Sequence, residues 1–503
     1  MGLLMELPLT PLDFLARART LFPDRVGVVQ GDRRFTYAAM AERCDRLAHA
    51  LQRDLDVAPG DRVAWLGGNT HELLEAYFGV LLAGGVLVPL NIRLAPAELA
   101  VLLDDSAPKV LFRHPDQAGP AHPTTQVLLG DEHEGLLASQ PPGPPSTPLV
   151  DERSPAEIFY TSGTTGLPKG AVLTHRSLYL HAVHSALTNG LTGDDVVLHT
   201  IPLFHVNGWG TPHYVTGLGG VHVMLPRFDA GEVLRLIADE GVTRLFLVPA
   251  MATALLDHPD LGARAYPSLR QISVGGAPLG RELLGELEDR LGCPCICGYG
   301  MTESSPTLTR ALDKPGEPPD PARRATTGLP ILGVELSVVD AEGREVPHDG
   351  VARGEVRARS NHVMDRYWNA PASTAEVLRD GWLHTGDVAT VDPDGYLTIV
   401  DRAKDVIISG GENISSVEVE KALTAHPAVL EAAVVGVPDD RWGEVPAGFV
   451  VLRSGASATP EALIAFVRDR LAHFKAPREV TLVDHLPKSG TGKVVKAALR
   501  RET

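Results

Sequence analysis

Helix-like and strand-like runs of apolar residues alternate along the chain. In YAAMAERCDRLAHAL (37–51), HELLEAYFGVLLA (71–83) and PAELAVLLDD (96–105) apolar side chains return every three or four positions, the spacing of one helix face. Each is followed by a short apolar run, RVAWLG (62–67), VLVPL (86–90) or KVLF (109–112), of strand length. That alternation predicts a parallel sheet covered by helices. The rhythm returns after residue 195 in VHVML, GEVLRLIADEG, RLFLVP, RQISVGG and RELLGELEDRLG, predicting a second sheet of the same kind. Thr10 and Pro11 read as a helix start, a capping hydroxyl and then a proline at the first helical position.

Between 320 and 400 the pattern changes to short strands, VELSVVDAEG, ARGEVRARS, VATVDPDG and YLTIVDR, whose DAEG and DPDG turns predict a small antiparallel sheet or barrel. Beyond Asp401 helices are expected in VEVEKALTAHP and EALIAFVRDRLAHF, and strands in LEAAVVGVP and AGFVVLR. The expected fold class is α/β: a large N-terminal domain over 1–400, made of two α/β sheets and a small β-barrel, then a small α+β domain over 401–503. Charge distribution agrees with a cut there. Residues 402–503 hold 14 Lys and Arg against 13 Asp and Glu, a net +1, so of the total of -17 the first 401 residues carry -18. The proline-rich SQPPGPPSTP (139–148) reads as a connector ahead of the second sheet.

An acidic body lacks the basic face that nonspecific nucleic-acid binding or docking on an anionic membrane requires. The longest nearly uncharged run, AYFGVLLAGGVLVPL (76–90), falls short of the roughly 20 residues of a membrane span, so none is expected. No basic stretch leads an apolar one at the start, so export is not indicated. Cys293, Cys295 and Cys297 alternate along one strand face without a fourth ligand at metal-site spacing, which reads as a reduced, cytoplasmic strand.

The chemistry starts at YTSGTTGLPKG (160–170), between the strand-like AEIFYT and GAVLTH. It is not a Walker loop, because Lys169 follows Pro168 and precedes Gly170 rather than leading a hydroxyl residue into a helix. Gly163 and its neighbours let backbone N–H groups approach an anion; Thr161, Ser162, Thr164 and Thr165 add hydroxyls and Lys169 a charge. The composition equally suits a flexible polar surface loop.

Six further segments follow in order: IPLFHVNGW (201–209), VGGAP (274–278), GYGMTE (298–303), GWLHTGD (381–387), DRAKDVIISGGENIS (401–415) and PKSGTGK (487–493). With these signatures the chain resembles the superfamily of adenylate-forming enzymes that holds acyl- and aryl-CoA synthetases, luciferases and adenylation domains. It looks most like the fatty acyl-CoA synthetases.

The resemblance implies an ATP-dependent acid–CoA ligase with ATP, Mg²⁺ and CoA as cofactors. It assigns the 160–170 loop, through Thr161 to Thr165 and Lys169, to the ATP phosphates. Gly276, Ala277 and Pro278 with Tyr299, Gly300 and Met301 form the slot for the base; Thr302 donates to phosphate and Glu303 holds the metal. Asp387 accepts the ribose hydroxyls, joined by Arg402. Lys493 neutralises the charge that develops as the acid attacks the α-phosphate. Asp401 is the hinge about which the small domain turns, and Gly410 and Gly411 then pass close to the pantetheine arm. Trp209 gates the acyl tunnel and His205 lines its entrance. Taken without the resemblance, Tyr299, His205 and Trp209 suit interior packing, Asp387 a turn, Arg402 a surface ion pair and Lys493 an exposed tail.

Small Ala250 and Ala254 in VPAMATALL leave room for a medium- or long-chain fatty acid or a bulky natural-product acid. Neither this segment nor IPLFHVNGW carries a Lys or Arg to meet a second carboxylate, which speaks against malonate-type substrates. Two alternatives stay open: loading the acid onto a carrier protein's phosphopantetheine, or a catalytically silent nucleotide-binding regulator, against which Lys493, Glu303 and Thr302 count. A homodimer is also open. Two departures from the family pattern are Cys297, where an amide side chain is usual, and RSN near 360 in place of Arg-Gly-Pro.

Overall fold

A computed structural model describes residues 7–120, 122–146, 148–161, 168–277, 279–402, 405, 407–409, 412–439, 442–471, 473–488 and 493–500. The chain divides into two compact units, one of residues 1–325, 330–335 and 359–383, the other of 326–329, 336–358 and 384–503.

The first unit contains both expected α/β sheets. In one, Val26–Gln30, Val221–Met224, Val196–His199, Arg244–Leu247, Gln271–Val274 and Cys295–Gly300 lie side by side and parallel. Antiparallel Arg33–Thr36 and Thr307–Arg310 flank them. In the other, Val86–Pro89, Arg62–Leu66, Val110–Arg113 and Thr125–Leu128 run parallel, and Pro155–Thr161 continues the sheet beyond Val86–Pro89. Pro155–Thr161 then pairs antiparallel with Lys169–Thr174, so the candidate loop joins two strands as its flanks predict. Helices cover these sheets because their apolar stripes match: in Tyr37–Arg53, Met40, Cys44, Leu47 and Leu51 are buried and Thr36 caps the first turn, accepting from Ala39 N at 3.2 Å.

The second unit contains the expected small strands and the α+β segment. Trp382–Val391 pairs antiparallel with Leu397–Arg402. The two predicted turns close as such: Gly343 N donates to Asp340 O and Gly395 N to Asp392 O, with both glycines at positive φ. Strands Val429–Asp439 and Gly443–Leu452 form a long antiparallel pair, with Glu479–Leu482 parallel to the latter and Ile407–Ser409 and Glu412–Ile414 extending the sheet. Helices Ser416–Thr424 and Pro460–Arg468 contribute Val419, Leu423, Leu463 and Val467 to its core. The second helix stops at Arg468, short of the expected 474. Compactness groups residues 336–358 and 384–400 with the C-terminal segment, whereas composition and charge change at 401.

The four cysteines are free and buried; Cys295 and Cys297 lie on one strand as expected, whereas Cys293 precedes it, because the strand begins only at Cys295. Among the described residues no helix is long and apolar enough to cross a membrane. His71, Glu72 and Glu134 converge within 4.8 Å. Arg33 Nη1 already lies 2.9 Å from His71 Nε2 and Arg43 bonds both Glu134 oxygens, so guanidinium groups supply the positive charge there.

Several imidazoles are buried in the first unit. Burial presses His175 and His362 down to about 4 and His199 to about 3, and drives His181 and His222 well below the ordinary range. Each binds its proton less readily folded than unfolded, where the pKa is about 6.5. Their contribution to stability is therefore complete above about pH 6.5 and is lost as pH falls through about 4. Melting temperature measured across this range should fall steadily as pH drops below 6.5; a profile flat from pH 7 to pH 4 would contradict the burial.

Candidate active site

Thr161 ends one strand and Lys169 begins the next; they face each other in the pairing, with Thr161 Oγ1 donating to Lys169 O at 3.5 Å. Ser162, Gly163, Thr164 and Thr165 lie outside the described residues, as do Pro278, Gly410 and Gly411. Gly276 takes φ 83° in the turn after Gln271–Val274, and Ala277 is exposed beside it.

Tyr299 and Gly300 end the strand Cys295–Gly300, and the chain returns at once along Thr307–Arg310. Met301 N donates to Pro306 O at 3.0 Å, closing this hairpin around the short helical turn Thr302–Ser304. The turn buries Thr302 and Glu303. A buried carboxylate needs a donor, and Tyr367 provides one: its hydroxyl donates to Glu303 Oε1 at 2.6 Å. Met364 N donates to Glu303 O at 2.8 Å, and His362 Nδ1 lies 2.9 Å from Ser304 O. Tyr367 pairs with Ala171 as an added strand, and Lys169 Nζ stands 5.5 Å from the centre of its ring, within cation–π range. One tyrosine therefore touches both the candidate metal carboxylate and the candidate phosphate lysine. Sequence reasoning missed it, because MDRYWN carries no local sign of its strand partner.

The loop 201–210 brings His205 and Trp209 to half-buried positions. Val206, Asn207 and Trp209 all take positive φ, at 37°, 44° and 66°, a costly run that neighbours hold in place. Asn69 Nδ2 donates to His199 O and Ile201 O, its Oδ1 accepts from Leu203 N, and the Tyr77 hydroxyl donates to Leu203 O. Asn207 Nδ2 donates to Glu157 Oε2 at 3.0 Å, and His213 Nε2 lies 3.2 Å from Glu157 Oε1. Trp209 meets Phe246 edge-on at 6.1 Å between ring centres.

In the second unit Asp387 is buried, and strand register sets it opposite Arg402, pairing the two residues proposed for the ribose. Asp401 is buried too: its Oδ2 accepts from Ser416 N at 2.6 Å, and the Ser416 hydroxyl lies within 3.0 Å of both oxygens. That carboxylate sits at the start of helix Ser416–Thr424, where the helix dipole favours negative charge. Lys493 is exposed.

The hairpin geometry makes a sharp demand at Gly300, where a Cβ would stand 1.8 Å from Pro306 O. Gly300→Ala should lower stability by about 1–3 kcal/mol. Gly280→Ala, whose Cβ would meet nothing nearer than 3.7 Å, should stay within about 0.5 kcal/mol. Thermal melts of the two variants check this, and equal melting temperatures would refute the close approach.

Comparison with known proteins follows the same lines. A family model described as AMP-binding enzyme matches residues 15–368, and one described as AMP-binding enzyme C-terminal domain matches 418–493. The chain is 41% identical to a feruloyl-CoA synthase from Amycolatopsis sp, covering 96% of this chain and 97% of that protein. It is 39% identical to a fatty acid–acyl-carrier-protein ligase from Streptomyces coeruleorubidus, covering 95% and 93%. Among solved structures, O-succinylbenzoate coenzyme A synthetase from Bacillus subtilis in complex with AMP superimposes with a TM-score of 0.86 at 30% identity, covering 99% of this chain and 98% of that one.

Proposed function

The chain belongs to the AMP-binding enzymes and is an AMP-forming acid–CoA ligase that uses ATP and CoA, and we propose that its acid is a medium- or long-chain fatty acid or another bulky acid with a mainly apolar body. The observation that carries this choice is the apolar wall made by Trp209 and Phe246 beside Gly275, where a Cβ would stand 3.0 Å from Trp209 Cη2. The names of two relatives, a feruloyl-CoA synthase and a fatty acid ligase, support an acid of that kind.

In this reading the acid's carboxylate oxygen attacks the α-phosphorus of ATP, pyrophosphate leaves, and the CoA thiol then displaces AMP from the acyl carbon. Lys169 and Thr161, with the loop between them, hold phosphate oxygens; Tyr299 covers the base beside Gly276, Ala277 and Pro278; Asp387 and Arg402 hold the ribose. Thr302 donates to phosphate. Glu303 would hold a Mg²⁺ ion, which supplies charge neutralisation at the phosphates; the group fits, since a nucleotide-bound Mg²⁺ needs only one or two carboxylates. Tyr367 fixes that carboxylate by capping Oε1. Lys493 stabilises the charge of the first step. Between steps the domain 401–503 turns about Asp401, and Gly410 and Gly411 then pass close to the pantetheine arm; His205 lines the entrance of the acyl tunnel. A cytoplasmic location suits the four free thiols.

A second reading, transfer to a carrier protein's phosphopantetheine, draws on the relative that is a carrier-protein ligase. The test is a panel of carboxylic acids with ATP and Mg²⁺, following pyrophosphate release and CoA-thioester formation. Thioester should form with CoA alone; pyrophosphate release whose thioester appears only with a carrier protein would establish the second reading. Lys493→Ala should lower adenylate formation by roughly a hundredfold or more while thioester formation from supplied acyl-AMP persists. Equal loss of both half-reactions would refute the rotation.

A further inference from the structure

Arg310 ends the strand Thr307–Arg310 and is 5% exposed. Strand register places it opposite Gly298. A Cβ at Gly298 would stand 3.1 Å from Arg310 Cδ and 3.2 Å from its Nη1, so the arginine fills the space a side chain at 298 would take. The carbonyl of Gly298 in turn lies 3.3 Å from the Cβ position of Gly275, whose other neighbour is the Trp209 indole. Trp209, two glycines and a guanidinium thus follow one another along a single wall.

That guanidinium is poorly satisfied. Nη2 donates to Ser273 Oγ at 2.7 Å and Nη1 reaches Ile296 O only at 3.5 Å, while Nε has no partner. Among the described residues no carboxylate pairs with it; the groups that act on its charge are Cys297, Tyr214 and Arg244, and burial lowers its affinity for the proton to about 10. Arginine is almost never fully buried unless paired, and a cation taken out of water without a counter-charge is costly. The planar guanidinium matches two carboxylate oxygens with parallel N–H groups.

We infer that Arg310, with Ser273 beside it, receives a second carboxylate at the far end of the acid, so that the preferred substrates have an apolar body with a carboxylate at each end. This rests on the reading of Trp209 and Gly275 as the wall of the acyl site. The cation comes from neither of the segments that flank that site in sequence; it reaches across from the neighbouring strand. A methyl-ended acid leaves the guanidinium without a counter-charge. A site built to bond a polar group rejects the analogue that lacks it.

The experiment compares acids of equal length ending in methyl, hydroxyl or carboxylate, with the full chain, ATP, Mg²⁺ and CoA, reading kcat and KM for thioester formation. Wild type should favour the carboxylate-ended acid over the methyl-ended one by on the order of 10–100-fold in kcat/KM, chiefly through KM. Arg310→Met should abolish or reverse that order, and Arg310→Lys should retain part of it. A melt of each variant separates folding from selectivity: a purely structural Arg310 would lower the melting temperature and leave the order of substrates intact, overturning the inference. Preference for the methyl-ended or the hydroxyl-ended acid in wild type also overturns it. Trp209→Ala with an unchanged chain-length profile would instead overturn the acyl-wall reading beneath it.

Discussion

The backbone of Gly300 passes so close to the carbonyl of Pro306 that no side chain fits between them, and the candidate site of the first unit is organised around that approach. It lets Cys295–Gly300 turn back on itself within a few residues and pair with Thr307–Arg310. Tyr299, Thr302 and Glu303 are carried on one side of the closure, and Arg310 is delivered opposite Gly298 on the other. A ring face, a hydroxyl, a carboxylate and a cation are thereby fixed in one rigid piece of backbone. Such a piece holds catalytic groups more closely than a free loop does.

Much of the fold was legible because its signals are local. The period of apolar residues located both α/β sheets, and the DAEG and DPDG turns located the small strands. Family membership was legible in YTSGTTGLPKG and GYGMTE for the same reason, since glycines, hydroxyls and charge stand next to each other in sequence. Tyr367 and Arg310 were not. Their importance comes from register, Tyr367 against Ala171 and Arg310 against Gly298, and register depends on contacts between distant segments. Residues 201–209 and 248–256 carry no Lys or Arg, and Arg310, which lies far from both in sequence, reaches its place only through the pairing of its strand with Cys295–Gly300.

The loop 201–210 makes the same point through energetics. Its left-handed run is unfavourable taken alone, and polar side chains buried beneath it, from Asn69, Tyr77 and Glu157, offset that cost by hydrogen bonds in a site sheltered from water. Glu157 in AEIFYT looks in sequence like an ordinary outward strand residue, yet it is completely buried. It ties the strand that leads into the 160–170 loop to the segment that holds His205 and Trp209.

Buried polar groups in this unit differ in how fully their own chain meets them, several keeping one unbonded atom, and a buried cation in that state is the costliest case. Asn69 and Asp195 are met by donors or acceptors from their own chain; Asp195, for example, is bonded by Thr192 N, Thr243 and Arg244. Their burial is complete as it stands. Arg310 is met by a single hydroxyl at close range. A stable fold gains nothing from keeping an incompletely paired cation where a methionine of similar length would pack, and natural sequences tend to break such local rules where function requires it. The deficit lies next to the glycines that open the wall beside Trp209, which is where an incoming acid could make it good. Binding would then convert a cost borne by the free protein into selectivity for the ligand that removes it.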